Sequence, residues 1–463
     1  MTTPRHYDAI IIGAGQGGMP LSQALAEAGR KTAIIEREHV GGCCINEGCT
    51  PTKTMVASAR VAYLVRRGAD YGVHTGQLSV DMKKVRQRKR DIVDSFRQGD
   101  ERKLEDTDGL DLIYGEASFT DAKTLEVRPS NGGERLQLTA EIIVINTGGR
   151  PSNPPLDGLD TVPTLNSTTI MELDTVPEHL LVLGGGYVGL EFGQMFHRFG
   201  SRVTIVQRSK RLLTREDGDV AAAIADVLRE DGLEVLLETE ALRVRKENDT
   251  IQLTVRTPDG ERTLTGSHLL VAVGRTPNTE VLNLDATGVR TNDKGFIPVN
   301  ERLETNVPGI YAIGDVNGGP HLTHISYDDF RVLCTNLIEG GNATTTDRMI
   351  PYTVFIDPQL GHVGISEEEA RKQGRNIKVA RMPMHYVARA LETDESRGLM
   401  KAIVDADTKQ ILGCAILGIE GGELMAMIEI AMMGKLPYTA LQNAIFAHPT
   451  LAESLNNLFS SFE

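Results

Sequence analysis

The chain has 463 residues, a length that suggests about three domains rather than one hydrophobic core. With 40% hydrophobic and 24% charged residues it has the composition of a soluble globular protein, and its net charge of -14 sets it against nucleic acid and anionic membrane surfaces as partners. No apolar run approaches the roughly 18 residues of a membrane-spanning helix, and the early run AIIIGAG is followed by no cleavage site, so no signal peptide is read and the cytoplasm is the expected compartment.

In chain order, residues 7–12 form an apolar, β-branched run suited to a buried parallel strand. A helix is expected over Gly17 to Gly29, a second strand from Thr32, and then an irregular Cys/Gly-rich loop, GGCCINEGCTPTK. Helix follows from about Thr54 to Leu104, broken around ADYGVHTG, its second half charged and solvent-facing. Residues 110–145 alternate as an antiparallel excursion with turns at TDAK and NGG. Residues 179–208 then repeat the strand–loop–helix–strand order of the first block. A strand near 268–275 closes this second unit, PGIYAIGDV at 308–316 returns to the first, and from about Met349 a different pattern of strands and then helices begins. The fold class expected is α/β: two Rossmann-like three-layer dinucleotide-binding domains plus a C-terminal α+β dimerisation domain. The segments are 1–150 and 276–346 for the first dinucleotide domain, 151–275 for the second, and 347–463 for the interface domain.

Gly13, Gly15 and Gly18 satisfy G-x-G-x-x-G after a strand and before a helix, and Glu36 ends the next strand. Glycines there let the backbone close on a pyrophosphate at the helix start, while the acid bonds a ribose hydroxyl. A glycine-rich turn alone is weak evidence; this context makes it a dinucleotide site. Gly184, Gly186 and Gly189 form the second copy, with Gln207 at the acid position, then Arg208 and Arg211. Losing the carboxylate removes repulsion against a 2′-phosphate, and a nearby arginine can pair with it, which favours NADPH; the bland alternative is two surface arginines and NADH held through Gln207. Two such sites imply a nicotinamide nucleotide feeding a flavin.

Of five cysteines, Cys43, Cys44 and Cys49 cluster, while Cys334 and Cys414 sit in apolar contexts as buried, inert thiols. Cys44 and Cys49, four residues apart on a Gly-containing segment, can approach closely enough for exchange chemistry. The spacing would also suit half of a zinc site, but no matching Cys/His pair lies nearby and no metal site is expected.

GGCCINEGCTPTK resembles the redox-active segment of the pyridine nucleotide–disulfide oxidoreductases, a family that includes dihydrolipoamide dehydrogenase, glutathione reductase and mercuric reductase. The resemblance runs end to end through GAGQGG, INTGGRP, GGGYVGLEFG, VGRTPN, YAIGDV and AHPTLAE, and is nearest to the mercuric reductase-like and reactive-chlorine-resistance flavoproteins. It implies FAD and NADPH (or NADH) as cofactors. By the same resemblance Cys49 faces the flavin as charge-transfer thiolate, Cys44 is the interchange thiol, and Lys53 lies near the flavin and pairs with Glu191 by the nicotinamide. Thr147, Gly148, Gly274 and Asp315 fall in cofactor-binding motifs, Asp315 at the ribityl chain, and the helix after HLTH aims its N-terminus at the flavin. His448 and Glu453 match the family's acid/base pair, which reaches the dithiol from the other subunit of a homodimer.

The departures are Cys43, where the family usually has Thr, read either as a neutral swap or as a third thiol for a soft metal ion, and an ending, SSFE, without the vicinal cysteines of mercuric reductases. The leading function is NAD(P)H-dependent reduction of a disulfide or a thiophilic metal ion or oxidant, with a small-molecule or small-thiol substrate. Dihydrolipoamide dehydrogenase is the alternative within the class, and a non-catalytic FAD-binding regulatory protein the alternative outside it.

Overall fold

The computed structural model describes residues 4–462, which fall into two compact units. One gathers residues up to 54, 84–152 and 274–348; the other gathers 55–83, 153–273 and the residues from 349 onward.

In the first unit the strand Arg5–Ile12 lies between Thr32–Glu36 and Leu136–Ile145, parallel to both, with Ala9 opposite Thr32 and Ile10 opposite Ile143. Leu110–Asp121 and Ile310–Ala312 extend this parallel sheet at its two sides. The period of two sends Ile10 and Ile12 into one apolar core and Ala9 and Ile11 into another, so the strand is covered on both faces. Each such Ile, wholly buried, contributes about 2 kcal/mol. The excursion at 110–145 is antiparallel as expected, with Thr124–Pro129 pairing both neighbours.

The second unit repeats the parallel plan. His268–Val271, His179–Leu183, Arg202–Val206 and Glu234–Leu236 form a four-stranded sheet in that order, beside a three-stranded antiparallel meander over 240–266. The C-terminal part is a five-stranded antiparallel sheet, ordered Tyr352–Val354, Gln359–Gly364, Ile411–Gly418, Leu399–Asp405 and Ile377–Pro383, with the helix Gly421–Met433 packed on it. Leu424, Met425, Ile428 and Ala431 of that helix are buried, while Met427, Ile430 and Met433 on its other side are exposed, followed by exposed Leu436 and Ile445.

Two buried polar clusters brace this unit. Lys401, 1% exposed, places Nζ 2.9 Å from carboxylate oxygens of Asp217, Asp219 and Glu367. Glu216 accepts from the Tyr352 hydroxyl and lies 3.0 Å from His362 Nδ1, with the tyrosine and histidine rings stacked at 4.8 Å. Burial by itself would lower the His362 pKa; the hydrogen bond and charge of Glu216 outweigh it, and the net direction is up.

The expected irregular cysteine loop is corrected by the structure. Gly42–Asn46 is a short helix, and Cys49 opens the 18-residue helix Cys49–Arg66. Gly48 accepts the first helical hydrogen bond from Thr52, and Pro51 falls in the first turn, where its missing N–H costs nothing. Cys334 is also only half-buried, since it lies on the flank of the helix Thr323–Leu337, whereas Cys414 is fully enclosed.

Candidate functional site

The two glycine loops are built alike. Gly13 and Gly184 have φ of +105° and +113°, and a Cβ on either would stand 2.4 Å from a backbone oxygen, of Asn146 and of Ala272 respectively. Gly18 and Gly189 allow the close approach of helix to loop, where a Cβ would meet the Gly13 and Gly184 carbonyls at 2.4 and 2.1 Å. No residue other than glycine fits these four places. The middle glycines differ: Gly15 has Asn146 Nδ2 at 3.0 Å, but Gly186 has nothing within 4 Å of its missing Cβ and a φ of -83°. Its own chain gives no reason for glycine there; a phosphate brought against the backbone does. Both following helices, Gly18–Glu27 and Tyr187–Phe199, start without a side-chain cap or an acid in the first turn, which leaves their positive ends for an anion.

The acid positions correspond atom for atom. Glu36 Oε2 accepts from Ala14 N–H at 2.9 Å, and Gln207 Oε1 accepts from Gly185 N–H at 3.0 Å, each across 22 residues. The second oxygen of Glu36 takes the Glu38 and His39 amides, whereas Gln207 Nε2 donates to the Arg211 carbonyl at 3.2 Å. Arg208 is exposed, while Arg211 is turned onto Glu368 in a two-pronged pair.

The cysteine segment is fastened to the first loop. Gly41 donates to the Ala14 carbonyl at 2.9 Å, and Gly42, at φ +58°, would push a Cβ to 2.8 Å from Gly15 Cα. Asn46, between the two cysteines, donates to the Val40 and Gly42 carbonyls at 2.9 Å and accepts from Arg97 Nε at 2.7 Å. All five cysteines are thiols in this structure. The Cys44 pKa is driven well up, first by the hydrogen bond it donates to Cys49, then by burial and by the charge of Cys49, with Thr323 pulling the other way. Cys49, exposed at the first position of its helix, has the Thr323 hydroxyl 3.2 Å from its sulfur. Thr323 itself opens the helix Thr323–Leu337, so two helix starts meet at one sulfur.

Cys43, though open to solvent, lies 3.5 Å from Arg275 Nη2; partial desolvation raises its pKa and the arginine opposes the rise. Arg275 also donates to Asp315 Oδ2 at 3.2 Å and to the Gly149 carbonyl, linking Cys43 to the expected ribityl anchor. Asp315 lies on the turn Gly314–Asn317, held from behind by fully buried Asp329, which accepts from Gly314 N–H at 2.8 Å and Arg348 at 2.6 Å. Thr147 gives its hydroxyl to the Asn278 carbonyl at 2.8 Å and accepts at its own carbonyl from Asn278 Nδ2 at 2.9 Å; Gly148 and Gly274 have nothing within 4 Å of a missing Cβ. Lys53 is half-buried one helical turn beyond Cys49. Glu191, 4% exposed, accepts from Phe355 N–H at 2.9 Å within the second unit. His448 Nδ1 and Glu453 Oε2 are 2.8 Å apart, with 68% of the histidine side chain open. Asn46, Arg275, Thr323 and Asp329 were not singled out from the sequence; only the placement of Asn46 between the cysteines offered a signal.

Two dinucleotide loops in one chain, one of them tied to a dithiol at a helix start, define a flavin- and nicotinamide-dependent disulfide oxidoreductase. Comparison with known families agrees. The chain belongs to the pyridine nucleotide-disulphide oxidoreductases, matching that family over residues 7–329 and its dimerisation domain over residues 350–459. It is 38% identical over 458 residues to the probable pyridine nucleotide-disulfide oxidoreductase RclA of Escherichia coli K12, covering 98% of this chain and 99% of that one. A mercuric reductase of Staphylococcus aureus is 33% identical, covering 99% and 82%, and a dihydrolipoyl dehydrogenase of Thermus scotoductus 35%, covering 97% and 96%. The solved Cu(II) complex of the HOCl-induced flavoprotein disulfide reductase RclA from Escherichia coli superposes with a TM-score of 0.90 at 37% identity, covering 98% and 99%. The α/β fold and dimerisation domain thus stand, with flavin and pyridine nucleotide as the family's cofactors. Among the described residues no helix is long and apolar enough to cross a membrane.

Proposed function

We propose that this protein is an FAD-dependent NAD(P)H oxidoreductase that passes electrons through Cys44 and Cys49 to a disulfide or a thiophilic metal ion. The observation that carries it is the Cys44–Cys49 hydrogen bond at the start of a helix, with Thr323 beside the acceptor sulfur. When bound, FAD and the nicotinamide nucleotide supply the hydride transfer. Gly13, Gly15, Gly18 and Glu36 would hold the flavin nucleotide and Gly184, Gly186, Gly189, Gln207 and Arg208 the nicotinamide one, while Lys53, Glu191 and Asp315 would orient the reacting rings. The segmental division into 1–150, 151–275, 276–346 and 347–463 goes with this assignment.

The roles of the two thiols differ by their surroundings. Cys49, at two helix starts, is suited to carry the negative charge; Cys44 keeps the proton until a base removes it and then attacks the substrate. That base is His448, its tautomer set by Glu453, which leaves Nε2 to take the thiol proton and return it to the departing sulfur. An imidazole as open as this one suits a site completed by a second copy, and the exposed Met427, Ile430, Met433, Leu436 and Ile445 offer that copy an apolar face. The RclA structure described as a Cu(II) complex makes Cu(II) the metal ion to test first. NADPH is favoured over NADH because Gln207 is neutral and Arg208 exposed.

The test is an anaerobic titration of the oxidised holoenzyme with NADPH and separately with NADH. Uptake of about two reducing equivalents per flavin, one for the flavin and one for a disulfide, is the expected result. Uptake of about one would refute the Cys44–Cys49 relay.

A further inference from the structure

The loop after the strand Arg202–Val206 contains the neutral acid-position residue and two arginines, and the fold treats the arginines differently. Gln207 is used at both ends, by the Gly185 amide and by the Arg211 carbonyl. Arg208 is exposed. The Arg211 guanidinium turns towards the C-terminal domain, where Nη1 and Nη2 donate to Oε1 and Oε2 of Glu368 at 2.6 and 2.9 Å. This fork-to-fork arrangement is the strongest an arginine and a carboxylate can make, and it leaves few of the guanidinium donors for another anion.

The position of Glu368 does not depend on that pair. It is the second residue of the helix Glu367–Lys372, and Asp217, at the far end of the same loop, accepts both the Glu367 and the Glu368 amide hydrogens at 2.9 Å. Asp217 is in turn neutralised by buried Lys401 at 2.9 Å. The backbone carrying Glu368 is thus pinned to the loop, and its side chain is a fixed opponent for Arg211. With side chains 24% and 57% exposed, the pair is wet enough for Arg211 to change partner.

We propose that Glu368 is a specificity-determining residue of the nicotinamide-nucleotide site: by engaging Arg211 it leaves Arg208 alone to pair with an adenosine 2′-phosphate, and so limits the preference for NADPH over NADH. The inference rests on the reading of the Gly184–Gly189 loop as that site. Glu368 acts through Arg211, by occupying the fork that a phosphomonoester would otherwise take. An amide of the same shape offers the guanidinium a single neutral acceptor and does not hold the fork.

The flavin-loaded enzyme is mixed anaerobically with NADPH or NADH, and flavin reduction gives a dissociation constant and a limiting rate for each. For Glu368→Gln the NADPH-to-NADH preference is expected to rise about fivefold, through tighter NADPH binding with both limiting rates unchanged. In an Arg211→Met background the same substitution is expected to leave the preference where it was. An unchanged preference in Glu368→Gln overturns the proposal. So does an equal rise in both backgrounds, which would reduce Glu368 to a distant charge. Failure of both nucleotides to reduce the wild-type flavin would show separately, before any variant is made, and would remove the nucleotide-site reading together with this proposal.

Discussion

Replacing Thr323 by valine removes one hydroxyl, 3.2 Å from Cys49 Sγ, and keeps the shape of the side chain. A hydrogen bond to a charged acceptor is worth about 1.5–3 kcal/mol, and at an exposed sulfur roughly half of that survives solvent screening. Since about 1.4 kcal/mol corresponds to one pKa unit, the lower apparent pKa of the dithiol should rise by close to one unit. The sign follows from the donor: the hydroxyl stabilises the ionised pair, so its loss disfavours ionisation, in agreement with the lowering that Thr323 exerts on Cys44. The measurement is the pH dependence of alkylation of the reduced enzyme by iodoacetamide, with Thr323→Ser as the variant that keeps the donor. A Thr323→Val midpoint that coincides with wild type would refute the view that this helix start stabilises the thiolate.

The glycine loops predict separable losses. Gly189→Ala should weaken nicotinamide nucleotide binding at least tenfold while the flavin is retained, and Gly18→Ala should do the reverse, as read from flavin content and anaerobic reduction. His448→Gln should slow disulfide turnover about a hundredfold or more and leave nucleotide-driven flavin reduction alone; slowing of both half-reactions would contradict its place in proton transfer. Because the folded-state pKa of His362 is raised, the protonated ring stabilises the fold below its unfolded value near 6.5, and that contribution disappears as the pH climbs through the folded value. Thermal unfolding should therefore drop by about 2 °C more in wild type than in His362→Gln between pH 6.5 and pH 9.

What could be read from the sequence was what local geometry dictates. A Gly13 that must have positive φ and a Gly18 that must let a helix touch a loop leave their mark within six positions, and the same holds for Gly184 and Gly189. The parallel strands were legible because burial on both faces gives each of them a run rich in Ile, Leu and Val. The cysteine segment was misjudged as irregular because its glycines look like loop residues; two of them serve instead to lay the segment against Ala14 and Gly15 before a helix begins at Cys49. Thr323 and Arg275 reach the cysteines from 274 and 232 residues away, and no pattern along the chain announces such a meeting. The diversion of Arg211 to Glu368, 157 residues on, escaped for the same reason.

The matching bonds of Glu36 and Gln207 to the amides of Ala14 and Gly185 separate two duties within one side chain. One oxygen ties the strand end to the glycine turn, and a carboxylate or an amide performs that equally well. The other terminal atom holds the chain that follows: in the first loop it accepts the Glu38 and His39 amides, in the second it donates to the Arg211 carbonyl. Oxygen for nitrogen at that one atom turns an acceptor into a donor, so the two copies of the loop can share a turn only by letting the chain beyond it present amides in one case and a carbonyl in the other.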